Sequence, residues 1–231
     1  MLLDTGQDRV GAAEPSAPVT SAPPPPATAD QPGAVDQEQP EADDGDAGAR
    51  VDWSGLTWDD WRGMLLPVSP VHGPTTVSEA AAAGFSHDLG GAVLAAAHWA
   101  ARVSPQAGPE IYGPLVERMA GDTTTFRAQL DVDYEAARAA SGLPANEPIR
   151  SHAELAGWAG PSDPAAAATE EVTVRLLSRG AGPDGGEVLV EVPVTLRWEA
   201  GDWTLVAPVG GQWAGRPVAS ADGFETFPGG A

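Results

Sequence analysis

Residues 187–207 read EVLVEVPVTLRWEAGDWTLVA, and their alternation decides the fold class. Val188, Val190, Val192, Val194, Leu196 and Trp198 fall on one parity, while Glu187, Glu191, Thr195 and Arg197 fall on the other. Successive side chains of a strand point to opposite faces, so this run predicts a long strand with one apolar face. Glu199-Ala200-Gly201-Asp202 then turns the chain, and Trp203, Leu205 and Ala207 return it. Pro193 removes a ladder donor and predicts a bulge or an edge position.

The sheet extends outward from this meander. Val172, Val174 and Leu176 alternate with Thr173 and Arg175, and the following AGPDGG supplies the glycines that a hairpin turn demands. Arg175 and Arg197 are expected to pair with Glu187 and Glu191 across strands on the exposed face. A short strand is predicted around Ala153 to Trp158, with PSDPAAAATE behind it as a linker within the domain. The final stretch, GQWAGRPVASADGFETFPGGA, reads as loop anchored by Trp213, Phe224 and Phe227.

An apolar sheet face needs a cover, and GFSHDLGGAVLAAAHWAAR supplies one. Leu89, Ala92, Val93, Ala96, Trp99, Ala100 and Val103 recur at helical spacing, which predicts a helix over Asp88 to Val103 with one apolar stripe. Ser86 or Asp88 suits its N-cap, and Pro105 and Gly108 end it. A second helix is predicted from Pro109, kinked or restarted at Gly113-Pro114 and closed by Gly121. A third spans Thr123 to Ser141, with Phe126, Leu130, Tyr134 and Ala137 on one face, Asp122 as cap, and Gly142 and Pro144 as stop. In the leading segment, the Trp58/Trp61/Leu65 spacing predicts a short helix, and Pro67, Pro70 and Pro74 keep residues 66–74 extended. The packing core is expected to include Trp99, Val190, Val192, Val194, Leu196, Trp198 and Trp203.

Residues 1–50 carry ten acidic residues, eight prolines, two arginines and no aromatic ring. Such a segment buries too little apolar surface to offset the entropy of ordering it, so a disordered acidic, Pro-rich tether is expected. Residues 51–231 then form a single α+β domain: leading segment 51–85, helices 86–142, sheet 150–208 and C-terminal loop 209–231. No repeat of solenoid or propeller length is present.

The formal charge is −21 and lysine is absent. Nucleic-acid affinity comes mainly from neutralising phosphates, so this balance argues against a DNA or RNA partner and against docking on anionic lipid. With no cysteine, disulfides, thiolate catalysis and Cys-based metal sites are excluded. No apolar run approaches the roughly 20 residues of a membrane span, and Asp4 follows Met1-Leu2-Leu3 without a signal core. A soluble chain without direct membrane insertion is expected.

No GxSxG, HExxH, P-loop or GxGxxG pattern occurs. His87 and His98 lie about 16 Å apart along a helix, too far to share a metal ion. His98 and Arg102, one turn apart, read as a solvated pair, and a hydrogen-bonded structural role is expected for His87. Asp131, Asp133 and Glu135 surround Tyr134, but neighbours two apart on a helix face different ways, so one carboxylate at most faces inward. Asp43, Asp44 and Asp46 lack the order of a calcium loop and read as solvated charge. No catalytic residue, cofactor or metal is assigned. A pocket between the 88–103 helix and the sheet is the alternative expectation, with His98, Tyr134 and Asp131 as its candidates.

Helices first and a curved antiparallel sheet second is the order of the nuclear-transport-factor-2-like (cystatin-like) cone. The pieces WRGMLLPVSPVHGP, GFSHDLGGAVLAAAHWAAR, VPVTLRWEAGDWTLVAP and GFETFPG, in this order, resemble a family encoded in conjugative and integrative elements of high-GC Gram-positive bacteria. The resemblance implies an accessory or scaffold protein of conjugal transfer, with a folded part similar to the soluble domain of type IV secretion inner-membrane scaffolds. Protein partners in a transfer-apparatus membrane complex would follow, engaged through the sheet and through exposed aromatics of the leading and C-terminal segments. The resemblance carries no catalytic residues. Such proteins commonly start with a transmembrane anchor, where this chain starts with the tether; the resemblance implies a membrane-associated place on the extracytoplasmic face if an N-terminal anchor is missing.

Overall fold

The computed structural model describes residues 51–161, 170–182 and 184–229. The tether, its Asp43/Asp44/Asp46 cluster and most of the 161–170 linker lie outside them.

Among the described residues the domain is α+β, with three α-helices and antiparallel sheets. It opens with a hairpin, β1 (Thr57–Trp61) against β2 (Met64–Val68). The expected Trp58/Trp61/Leu65 helix is thereby corrected. Arg62 and Gly63 both take positive φ, at 52° and 86°, which is the geometry of a tight two-residue hairpin turn. Trp58 then pairs with Pro67, and Trp61 with Met64. The extended run expected over 66–74 breaks after β2, because Ser69 and Gly73 bridge each other across a tight loop. A second small hairpin, β3 (Thr76–Val77) with β4 (Ala82–Ala83), leads to the first helix.

Helix α1 (Leu89–Arg102) begins where expected, with the Asp88 carboxylate accepting from Gly91 N at 2.7 Å. Burial extends around nearly its whole circumference, from Gly90 to Trp99 and again at Ala101 and Arg102. The expected single stripe is corrected: small alanines let neighbours approach from several directions, so α1 is a central element. It meets the later strands β6, β7 and β8 along the Trp99 side and β2 and β4 elsewhere. Helix α2 (Pro109–Val116) runs through Gly113-Pro114 and ends well short of Gly121. Helix α3 (Thr124–Ser141) buries Phe126 and Leu130, and Gly142 closes it in the left-handed conformation.

The main sheet runs β5 (Glu154–Ala159), β6 (Glu171–Ala181), β7 (Glu187–Glu199), β8 (Asp202–Leu205), and β9 (Arg216–Val218) also pairs with β7. Strand β9 corrects the expectation of an unbroken C-terminal loop. Val172, Val174, Leu176, Val194 and Leu196 are buried, so the alternation holds where α1 covers the sheet. Val192 and Trp198 are partly buried against this core. Val190 and Val188 are half-buried and stand outside it, a correction to the continuous six-residue wall. At this end β7 extends past the helix, and the backbone at Gly215 lies over Val190 and Val192 instead.

Pro193 occupies a local edge. Trp198 N donates to Glu170 O, while Thr195 O accepts from Val206 N, so odd positions of β7 turn their backbone away from β6. On that side Pro193 falls between β8, which pairs with 196–199, and β9, which pairs with 189–191. Its missing donor therefore costs no ladder bond. A register shift lies in β5, between Leu155 and Gly157.

Aromatic residues of the two ends pack on each other. Trp53 lies 5.4 Å from Phe227 and 5.8 Å from Trp158, and Trp58 lies 5.7 Å from Phe227. Phe227 and Trp158 are buried. The leading and C-terminal segments therefore close over the domain, and these rings do not form the exposed aromatic surface expected of them.

Candidate functional site

Two hollows flank the β1–β2 hairpin where it meets α1. The first, of about 400 Å³, is lined by Asp59, Trp61, Leu66, Val77, His98 and Arg102 among others. Its floor corrects the expectation of a solvated His98/Arg102 pair, since both side chains are 2 % exposed. The i, i+4 spacing brings them together, but this side of α1 faces β2 and the β3–β4 loop. Arg102 Nη1 donates to His98 Nδ1 at 3.0 Å, and His98 Nε2 donates to Pro67 O at 2.9 Å. That pattern fixes a neutral ring. Burial, reinforced by the Arg102 charge, pushes His98 down to about 3, against a smaller upward pull from its bond to Pro67.

Arg102 Nη2 donates to Ser78 O at 2.8 Å, and its guanidinium sits 5.2 Å from the Trp61 ring centre. Burial lowers its pKa to about 10, while the Asp59 charge pulls it up. Its Nε finds no partner among the described residues. Beside it Arg62 is fully engaged, donating to Glu79 Oε1 at 2.6 Å and to Ala107 O at 2.6 Å. Trp61 Nε1 donates to Glu79 O, which fixes the ring between the two guanidinium groups.

The second hollow, of about 260 Å³, lies between α1 and the sheet. Ala97, Ala100 and Ala101 form one wall, Leu176 and Val192 another, and Trp213 and Met64 reach its margins. Trp99 and Trp203 fill the neighbouring space, with Trp99 Nε1 donating to Trp203 O at 2.9 Å. A gap thus exists where the alternative expectation placed one. Neither His98, Tyr134 nor Asp131 lines it, so its chemistry is apolar contact.

The three candidate residues do not converge. Asp131 is exposed on α3 and accepts from Tyr112 Oη at 2.8 Å and from Arg127 Nε at 3.2 Å. Burial foremost, then this bond, raises the Tyr112 phenol above its ordinary value. Tyr134 is half-buried under the Arg138 guanidinium, 5.4 Å from its ring centre.

Sequence reasoning missed one further polar cluster. His72 Nδ1 lies 3.2 Å from Ser86 Oγ and 3.1 Å from Asp88 Oδ1, and Ser86 Oγ donates to Asp88 at 2.8 Å. Serine, histidine and aspartate meet, but on the same ring nitrogen. A hydrolytic triad needs the hydroxyl on the nitrogen opposite the carboxylate. His72 Nε2 is buried without a partner among the described residues, and Asp88 serves as the α1 cap, so the cluster anchors the helix start. His87 has a structural role too, stacked on Trp198 at 4.1 Å. No cluster that suits a metal ion occurs among the described residues. Nor is any helix among them long and apolar enough to cross a membrane.

Compared with known proteins, residues 16–226 match a family described as a domain of unknown function (DUF8175). No curated protein and no solved structure matches the chain.

Proposed function

We propose that this chain, which belongs to the DUF8175 family of unknown function, is a non-enzymatic interaction module that receives an apolar anchor of a partner protein between α1 and the sheet. One observation carries this reading: the open, apolar hollow beside Ala100 and Val192. At about 260 Å³ it falls below the roughly 300–1,000 Å³ of small-molecule sites. It suits one or two large side chains, which is how a protein interface places its central anchor. Trp53, Trp58 and Phe227 of the leading and C-terminal segments are turned against each other and do not compete with this hollow for a partner.

The partner would be a component of a conjugal transfer apparatus, with the chain as its accessory or scaffold. Support comes from the four sequence pieces quoted above. The underlying architecture would be the nuclear-transport-factor-2-like cone, for which the order of helices before an antiparallel sheet and the central α1 argue. A photo-crosslinking residue at Ala100 in donor cells should trap a component of the transfer machinery, and Ala100→Trp should abolish capture through the native surface. Crosslinks confined to unrelated proteins would overturn the assignment.

The same hollow supports a second reading, a small-ligand binder of the cone type. Native mass spectrometry of the purified chain separates the two. A stoichiometric apolar adduct, displaced by Ala100→Trp, favours the ligand, whereas a bare protein mass favours the partner anchor.

A further inference from the structure

The hollow on the other side of the hairpin carries a different chemistry. A guanidinium as buried as that of Arg102 needs negative charge close by, because neutral acceptors satisfy its hydrogens without balancing its charge. Its acceptors here, His98 Nδ1, His98 O and Ser78 O, are all neutral. Among the described residues no carboxylate lies within ion-pair distance of it, and its Nε has no partner. Arg62 cannot share a counterion, being already engaged by Glu79. The floor of this roughly 400 Å³ space is therefore a cation whose facing carboxylate, Asp59, stands beyond ion-pair distance, and the volume falls in the small-molecule range.

The rim carries both signs, with the exposed Arg150 beside carboxylates. Asp59 is exposed at the mouth, lines the same space, and makes no hydrogen bond or ion pair among the described residues. Asp60 lines it as well. Asp59, Asp60 and Glu79 line the space together with Arg62, Arg102 and Arg150, so a multiply charged anion meets carboxylates as well as cations, and a simple anion site does not fit the whole arrangement. A molecule with a carboxylate at one end and an ammonium beside it does. The walls between floor and rim, Trp61, Leu66 and Val77, are apolar and suit a hydrophobic side chain.

We propose that this space binds a small zwitterion of the α-amino-acid class with an apolar side chain, its carboxylate on Arg102 and its ammonium on Asp59. The inference does not depend on the partner anchor proposed for the second hollow. Its test is calorimetric titration of the full chain with L-leucine and L-phenylalanine, alongside N-acetyl-leucine, isoamylamine and inorganic phosphate. Saturable binding is expected for at least one amino acid. Removing either charge from the ligand should weaken it about tenfold or more, the scale of one charge-assisted contact. Asp59→Asn should weaken the amino acid by a similar factor and leave N-acetyl-leucine unaffected. Because Asp59 is exposed, this variant keeps the fold even if Arg102→Gln does not. Absence of binding by both amino acids at millimolar concentration overturns the proposal, as does equal binding of phosphate or N-acetyl-leucine, or an Asp59→Asn variant that binds the amino acid unchanged.

Discussion

Arg102 donates to His98 Nδ1 at 3.0 Å, one turn along α1, with both side chains buried. The bond requires an unprotonated Nδ1, and burial together with the neighbouring cation holds the ring at about 3 instead of its ordinary 6.5. The unfolded chain therefore takes up a proton that the folded chain refuses. Stability is fully present above about pH 6.5 and falls as pH drops toward 3, by about 1.4 kcal/mol per pH unit at most. Urea unfolding at pH 7 and about pH 5 should show this loss, and His98→Gln should flatten it. An equal pH response in the variant would assign the acid sensitivity to other groups.

Trp203 and Trp198 face each other across the β7–β8 turn, 5.2 Å apart, yet they carry different weight. Trp203 is 2 % exposed, donates to Ser86 O and accepts from Trp99. Trp198 is only partly buried and stacks on His87. Trp203→Ala should cost about 3–5 kcal/mol, the scale of a large core truncation, and Trp198→Ala less than half of that. Denaturant midpoints would reverse this order if the sequence-based core were the better guide.

The β6–β7–β8 meander was legible because alternation survives wherever one face is covered. Val174 and Val194, directly paired, are both fully buried. Legibility stopped where cover comes from distant chain, as at Val190 beneath the Gly215 backbone. The β1–β2 hairpin was misread because Trp58, Trp61 and Leu65 happen to fall at helical spacing, and its turn puts Arg62, a residue without a turn signature, at positive φ. The polar site was hidden for a related reason. With alanine on every side of α1, hydrophobic periodicity does not rank its faces, and a buried His98/Arg102 pair looks like a solvated one. Asp131 and Tyr134 share α3, but Asp131 is held by Tyr112 of α2, a contact that α3 sequence spacing alone does not reveal, while Tyr134 meets Arg138 one turn along the same helix.

Gly91 should behave against its propensity. Within a helix, alanine gains up to about 1 kcal/mol over glycine. Here a Cβ would overlap the Ser86 carbonyl, part of the backbone that presents Asp88 as cap. Gly91→Ala should therefore destabilise by about 2 kcal/mol or more, as overpacking against backbone does. A raised unfolding midpoint would show that the Ser86 turn yields freely.

Glu191 and Arg216 pair directly between β7 and β9, and their exposures differ sharply. The Glu191 side chain is 7 % exposed, with Arg216 at 2.9 Å and Arg175 at 3.7 Å. Arg216 itself is 67 % exposed and Arg175 40 %. Removing the carboxylate leaves two cations that water can hydrate, so Glu191→Gln should cost about 1 kcal/mol or less. Removing Arg216 leaves a buried carboxylate with only the longer contact, and this is the expensive half of a broken pair. Arg216→Ala should therefore cost more than Glu191→Gln, and adding Glu191→Gln to it should restore part of the loss. Urea unfolding of the two single variants and the double variant measures the asymmetry. Additive losses would mean that β9 is held by its backbone pairing, with the charge of Glu191 balanced by Arg175 alone.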